Sequence, residues 1–318
     1  MNARWQRAVV FGSWLALIAW LAWQWPRSPA HALAGWALAW VVYGLVQALP
    51  FVFMWRANRH EPVPRPRLAQ LLHAWGAEAL HACVVFGWRQ PFCEHAEPDW
   101  LPEPPPQGQA TRRGVVLLHG FLCNRGFWLP WMRLLRARGH AYVAPTLEPA
   151  FGSIDDYAAA IDAAVRRVAA ATGMPPVIIG HSMGGLAARA WLRAYGGKRD
   201  EKTGAAGAGA AERRVHRIIT LGSPHGGAWS ARFTRAHNGA QMRIGNHWLA
   251  ALRQHEPAGH AALFTCWYSN CDSVVFPAST ATLPGADNRL VPGVAHLQMA
   301  FHAPLVQACL EELEELAA

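Results

Sequence analysis

Residues 180–185 read GHSMGG, after the apolar run PPVII and before an alanine-rich stretch. A serine hydroxyl is a weak nucleophile until a histidine takes its proton, and the histidine needs a carboxylate to hold its tautomer. Glycines on both sides suit a sharp strand-to-helix turn, in which the serine backbone is strained and bulky neighbours would clash. The helix that follows aims free N–H groups and the positive end of its dipole at the reacting centre. Ser182 is the candidate nucleophile.

The matching acid and base come later in the chain. Asp272, in YSNCDSVVFP, follows an apolar run and opens a loop, and His296, in GVAHLQM, follows LVPGVA. Both fall at strand ends, on the edge of a parallel sheet where ligands bind, and the order Ser, Asp, His is the one this turn motif requires. The competing residues fit less well. Asp287, in PGADN, reads as turn chemistry, and Asp155 and Asp156 precede the serine. His302 falls at the start of the closing helix, and His181 is expected to pack or bond locally. His225, in GSPHGG, is a candidate for shaping the pocket. An anionic intermediate needs two N–H donors. The backbone of Met183, just after the serine, and that of Phe121, in the HGF loop after the first strand, stand at the required places.

These residues need a scaffold of alternating strands and helices, and the chain supplies it from residue 113 onward. RGVVLLHG, HAYVAPTL, PPVIIGHS, VHRIITLG, LFTCWYS and NRLVPGVAH read as strands. Residues 126–138, 153–172, 183–197 and 301–316 read as helices, with Ser153 as an N-cap and Gly173 as a stop. Such alternation predicts an α/β domain with a mostly parallel sheet covered on both faces. Residues 196–211 are too rich in glycine and alanine for an ordered element and read as a surface loop. The amphipathic stretch QMRIGNHWLAALRQH, with Met242, Trp248, Leu249 and Leu252 on one side, forms either a short lid or part of the core.

From about residue 113 to 316 the chain resembles the α/β-hydrolases of the bacterial triacylglycerol lipase and esterase type. LLHGF, GHSMGG, TLGSPHGG, YSNCDSVVFP and GVAHLQM carry the resemblance, in that family's order and at similar spacing. It implies an α/β-hydrolase fold, a catalytic triad of Ser182, Asp272 and His296, and oxyanion donors Phe121 and Met183. It implies no cofactor, and in the absence of a clear calcium-ligand cluster no metal is carried over. The implied activity is acyl-ester hydrolysis through an acyl-enzyme, in a shallow pocket suited to apolar or lipid esters. An acyltransferase on the same fold and a non-catalytic membrane adaptor are the alternatives.

The front of the chain departs from that family. Residues 8–25 and 30–55 carry no charge and are separated by PRSP. As helices they span about 27 Å and more, enough for a transmembrane hairpin over residues 1–59. Trp5, Trp20, Trp23, Trp25 and Trp55 flank the runs, as interfacial tryptophans do. Arg4, Arg7, Arg56, Arg59, Arg65 and Arg67 lie outside the two runs, against Arg27 in the turn. The positive-inside rule then predicts an inner-membrane protein with its catalytic domain in the cytoplasm. AHA at 30–32 resembles a signal cleavage site, and a soluble helical cap is the other alternative. Residues 60–112 read as a proline-rich connector. Within it Leu68, Leu71, Leu72, Trp75 and Ala79 recur at helical spacing, for packing on the membrane or on the domain that follows. The stretch 98–109 reads as a stiff linker, with the catalytic domain over 113–318.

The net charge is +9 over 318 residues. No basic run with interleaved aromatics accompanies it, which argues against nucleic acid as a partner. The six cysteines form no CxxC pair and no zinc-like spacing. Cys266 and Cys271 could bridge in an oxidising compartment or remain free thiols.

Overall fold

The computed structural model describes residues 2–103, 112–196, 214–256 and 259–315. The glycine- and alanine-rich stretch therefore lies outside the described residues, apart from Gly196, as does the second half of the linker 98–109.

Six parallel strands form one sheet in the order β2-β1-β3-β4-β5-β6. They are β1 (Val115–Leu118), β2 (Tyr142–Val143), β3 (Val177–His181), β4 (Arg217–Leu221), β5 (Phe264–Tyr268) and β6 (Asp287–Leu290). The expected α/β architecture is present. In register, Leu118 of β1 pairs with Gly180 of β3, and His181 with Leu221 of β4. The central strands are largely apolar because both sheet faces are covered. Val116, Leu118, Ile178 and Ile218 enter one core, and Val115, Leu117, Val177, Ile179 and Ile219 the other, as the two-residue period of a strand requires.

The N-terminal helices are α1 (Asn2–Gln24), α2 (Pro29–Ala57), α3 (Leu68–Val84) and the short α4 (Gln90–Phe92). A π-helical turn, Val85–Arg89, joins the last two. The later helices are α5 (Leu129–Ala137), α6 (Ala158–Thr172), α7 (Met183–Tyr195), α8 (His237–Gln241), α9 (His247–Gln254), α10 (His296–Met299) and α11 (Ala303–Glu315). Side chains of α6 and α7 pack in the first core and those of α5 and α11 in the second. Ser153 caps the turn that leads into α6, and Gly173 ends that helix at φ 69°.

The amphipathic stretch is core rather than lid. Met242, Leu249 and Leu252 are buried among side chains of the first core, with Trp248 packed against them. Residues 98–100, expected as part of a linker, are also built in. Trp100 bridges antiparallel to Tyr142 at the sheet edge, and Asp99 accepts from Arg125 at 2.8 Å. All six cysteines, Cys266 and Cys271 included, are free.

The segments Ala3–Gln24 and Pro29–His60 are long and apolar enough to cross a membrane, and only 6% and 11% of their most apolar windows are buried. A cap helix on a soluble domain would bury one whole stripe. Apart from Ala32, which lies under Trp20 of α1, the buried exceptions sit where α1 and α2 meet the rest of the chain. Gln6 donates to Gln90 and to the Leu122 carbonyl, both at 2.9 Å. At the end of α2, Asn58 donates to the Asn270 carbonyl and accepts from the Ala278 N–H. Phe51 and Met54 pack against Cys271 and Phe276. The hairpin is thus tied to the loop after β1 and to the loop that carries Asp272. The connector helix α3 runs between them and packs against α10, where His296 sits.

Candidate functional site

Ser182 stands between β3 and α7 with φ 55° and ψ −124°. An L-residue at positive φ is strained, and the two flanking glycines show what holds it there. A Cβ on Gly184 would overlap the carbonyl oxygen of Leu118, and one on Gly180 would come within 2.8 Å of the Gly185 nitrogen. The turn is tight enough to exclude any side chain at either place. Ser182 N–H donates to the Leu221 carbonyl at 2.9 Å, which fixes the turn on β4.

His296 opens α10 and its Nδ1 lies 2.8 Å from Asp272 Oδ2. The other oxygen, Oδ1, accepts from the N–H groups of Val274 and Val275 at 2.9 and 2.7 Å. Asp272 is 1% exposed, so its charge is held by three bonds instead of by water. With Nδ1–H donated to a carboxylate, His296 presents Nε2 as a base. Burial works against protonating His296. The charge and hydrogen bond of Asp272, with a further contribution from Glu78, outweigh it and raise the pKa above the ordinary histidine value.

Two other histidines are locked neutral. His181 Nε2–H donates to the His296 carbonyl at 3.1 Å, and its ring stacks on Phe127 at 4.6 Å. Burial, with the neighbouring His296 charge, keeps its pKa well below the usual value. His119 holds the loop after β1. Its Nδ1 lies 2.9 Å from the Gly120 carbonyl, and its Nε2 accepts from the Leu147 N–H at 2.9 Å. Burial lowers its pKa to about 4. Because the peptide unit is planar and trans, pinning the Gly120 oxygen also fixes the direction of the Phe121 N–H on the opposite side. Met183 is the first residue of α7, where a backbone N–H has no intrahelical acceptor.

Glu78, on α3, was not singled out by the sequence. Its Oε2 accepts from the Leu297 N–H at 2.8 Å, one residue beyond His296. Burial pushes its pKa up to about 7, against the pull of His296 and the Leu297 N–H. A lone glutamate in an otherwise uncharged helical stretch was the only signal available.

The competing residues lie elsewhere. Asp287 opens β6, exposed and paired with Arg289 at 2.6 Å. Asp156 caps Ser153, and Asp155 pairs with Arg193. His302 precedes α11. His225 is buried with its ring nitrogen 3.0 Å from the Thr220 hydroxyl, and it does not line the cavity at Ser182.

Ser182, His296, Gly120 and Phe121 line one cavity of about 950 Å³. Side chains of helices from the front of the chain supply part of its wall. Among the described residues no three His, Cys, Asp or Glu side chains are grouped to hold a metal ion.

A model of the alpha/beta hydrolase family matches residues 115–311. The structure is similar to lipase BlEst2 of Bacillus licheniformis in its mature form, with a TM-score of 0.54 at 16% identity over 68% of this chain and 96% of that one. The propeptide form of the same lipase gives 0.53 at 17% identity, over 68% of this chain and 52% of that one. At such identity the likeness is one of fold. No curated protein sequence matches the chain.

Proposed function

The chain belongs to the alpha/beta hydrolase family, and from that premise we propose that it is a membrane-anchored serine hydrolase of carboxylic esters with apolar acyl groups. One observation carries the reading. A serine on a strained turn and a histidine bonded to a buried carboxylate face one largely apolar cavity.

In this mechanism Ser182 Oγ attacks the ester carbonyl carbon while His296 Nε2 takes the hydroxyl proton. Asp272 holds the ring and stabilises the imidazolium. The carbonyl oxygen becomes an anion between the N–H groups of Met183 and Phe121, each contributing roughly 2.7–4 kcal/mol to the transition state. As the tetrahedral species collapses, the acyl C–O bond breaks and the alcohol leaves with the proton from His296. A water, deprotonated by the same nitrogen, then attacks the acyl-enzyme. The acid departs and Ser182 regains its proton.

The anchoring rests on α1 and α2, which have the length and apolarity to cross a bilayer. The arginines outside both uncharged runs, against Arg27 in the turn, favour the inner membrane with the catalytic domain on the cytoplasmic side.

The test is hydrolysis of esters of graded acyl length by the full chain in detergent, with Ser182→Ala as the blank. Ester cleavage that Ser182→Ala abolishes supports the reading. Equal rates in the two proteins, or no cleavage of any ester, would overturn it.

A further inference from the structure

The cavity at Ser182 extends well beyond the catalytic domain. Val10, Ser13 and Leu17 of α1, Trp40 and Tyr43 of α2, and Phe86 of the π turn form its far wall. Its volume, about 950 Å³, stands at the upper end of the ~300–1,000 Å³ usual for small-molecule pockets. Two polar side chains of that wall bond to each other and to backbone. Tyr43 donates to the Ala79 carbonyl at 2.9 Å, and Gln47 donates to the Tyr43 hydroxyl at 3.4 Å. The rest of the wall is largely apolar, with the ester-cleaving groups at one end.

We propose that this far wall is the acyl-chain site, and that the chain enters it sideways from the bilayer between α1 and the π turn. The helices at the front of the chain are then the substrate-binding wall as well as the anchor. The inference rests on the ester-hydrolase reading above.

Three further observations support it. First, the wall residues of α1 lie within the uncharged run 8–25. Once α1 crosses a bilayer, they stand at the depth of the acyl tails, not at the aqueous surface. Second, a smaller cavity of about 210 Å³ shares Val9, Val10, Phe86 and Leu122 with the main one and reaches Trp5. It marks a seam between α1 and the π turn. Third, the outward side of α3 and the turn is apolar. Leu68, Leu72, Leu80 and Trp88 are all more than half exposed. An exposed apolar face of that extent marks a membrane or protein contact, and here it continues the uncharged surface of α1 and α2. A long chain could therefore pass from tails outside the seam to the wall inside it without crossing water.

The occupant is the acyl chain of a membrane lipid ester whose carbonyl reaches Ser182. A linear fluorophosphonate carrying a sixteen-carbon chain with a terminal diazirine tests this directly on the full-length protein in lipid nanodiscs. Ser182 Oγ displaces fluoride from phosphorus, which anchors the head of the probe. Photolysis then records where the tail lies, read by mass spectrometry of the cross-linked peptides. The proposal expects tail cross-links within residues 9–17, 40–47 or 83–88. Cross-links confined to residues 215–295 would overturn it while leaving the hydrolase reading intact. No adduct on Ser182 would overturn both.

A second arm reads selectivity. Ser13→Trp fills the wall, and the ratio of kcat/KM for a sixteen-carbon ester to that for a four-carbon ester should fall by at least about tenfold, since several methylenes lose their site. Leu15→Trp, on the exposed side of α1, should leave that ratio as it is. Equal ratios in the two variants would contradict the proposal.

Discussion

The Glu78 carboxylate accepts a hydrogen bond at 2.8 Å from the backbone N–H of Leu297, the residue after His296. The bond joins a helix outside the sheet domain to the histidine proposed as base. It puts a second acid within electrostatic reach of the His296–Asp272 pair.

Its effect is open to titration. His296 must be neutral to take the serine proton, so kcat/KM should rise with pH through the raised pKa of His296. The groups that act on it are Asp272 and Glu78, which raise that pKa, and the buried neutral His181, whose ring lies 4.7 Å away. Removing a negative charge lowers a histidine pKa. Glu78→Gln should therefore move the acid limb of the profile to lower pH. A purely structural role would reduce kcat and leave the limb in place, and a shift to higher pH would contradict the assignment.

The choice between two aspartates is equally direct. Asp272→Asn reverses the tautomer preference of His296 and should reduce turnover on the order of 10⁴-fold. Asp287→Asn, which loses only an exposed pair with Arg289, should stay near the wild-type rate. Steady-state hydrolysis of a short ester decides it, and the reverse result would move the acid to Asp287.

The strained turn predicts a stability difference between two glycines. Gly184→Ala forces a Cβ into the Leu118 carbonyl and should cost roughly 1–3 kcal/mol or more. Gly76→Ala, on an exposed position of α3 with nothing within 4 Å, should gain about 0.8–1 kcal/mol from helix propensity. Chemical unfolding in detergent reads both, and equal effects would mean that the turn relaxes.

Much of the site was legible in the sequence, for a physical reason. A nucleophile turn needs glycines beside its serine, and strand ends are marked by the apolar runs before them. Ser182, Asp272 and His296 could thus be placed one by one. Glu78 could not, because its partner Leu297 lies 219 residues away and no local pattern records a contact so distant. The walls of the cavity were hidden for a different reason. An uncharged run such as 8–25 reads as lipid-facing on every side, and only packing shows that Val10 and Ser13 face Ser182 across a cavity. His119 was hidden within its own motif, where LLHGF drew attention to the Phe121 backbone and not to the ring that orients it.

Topology can be read in cells. A phosphatase reporter that is active only outside the cytoplasm, fused beyond α11, should be inactive, because the arginines flanking the uncharged runs 8–25 and 30–55 hold both ends inside. Strong phosphatase activity would reverse the proposed orientation and place the free Cys266 and Cys271 in an oxidising compartment.

The central claim is that Ser182 carries the acyl group during turnover. Rapid quenching of the full-length protein with a long-chain ester, followed by digestion and mass spectrometry, tests it most directly. The account predicts one acyl group on the peptide containing Ser182, absent from Ser182→Ala and strongly reduced in His296→Ala. An acyl group on any other residue, or ester turnover that persists in Ser182→Ala, would contradict it.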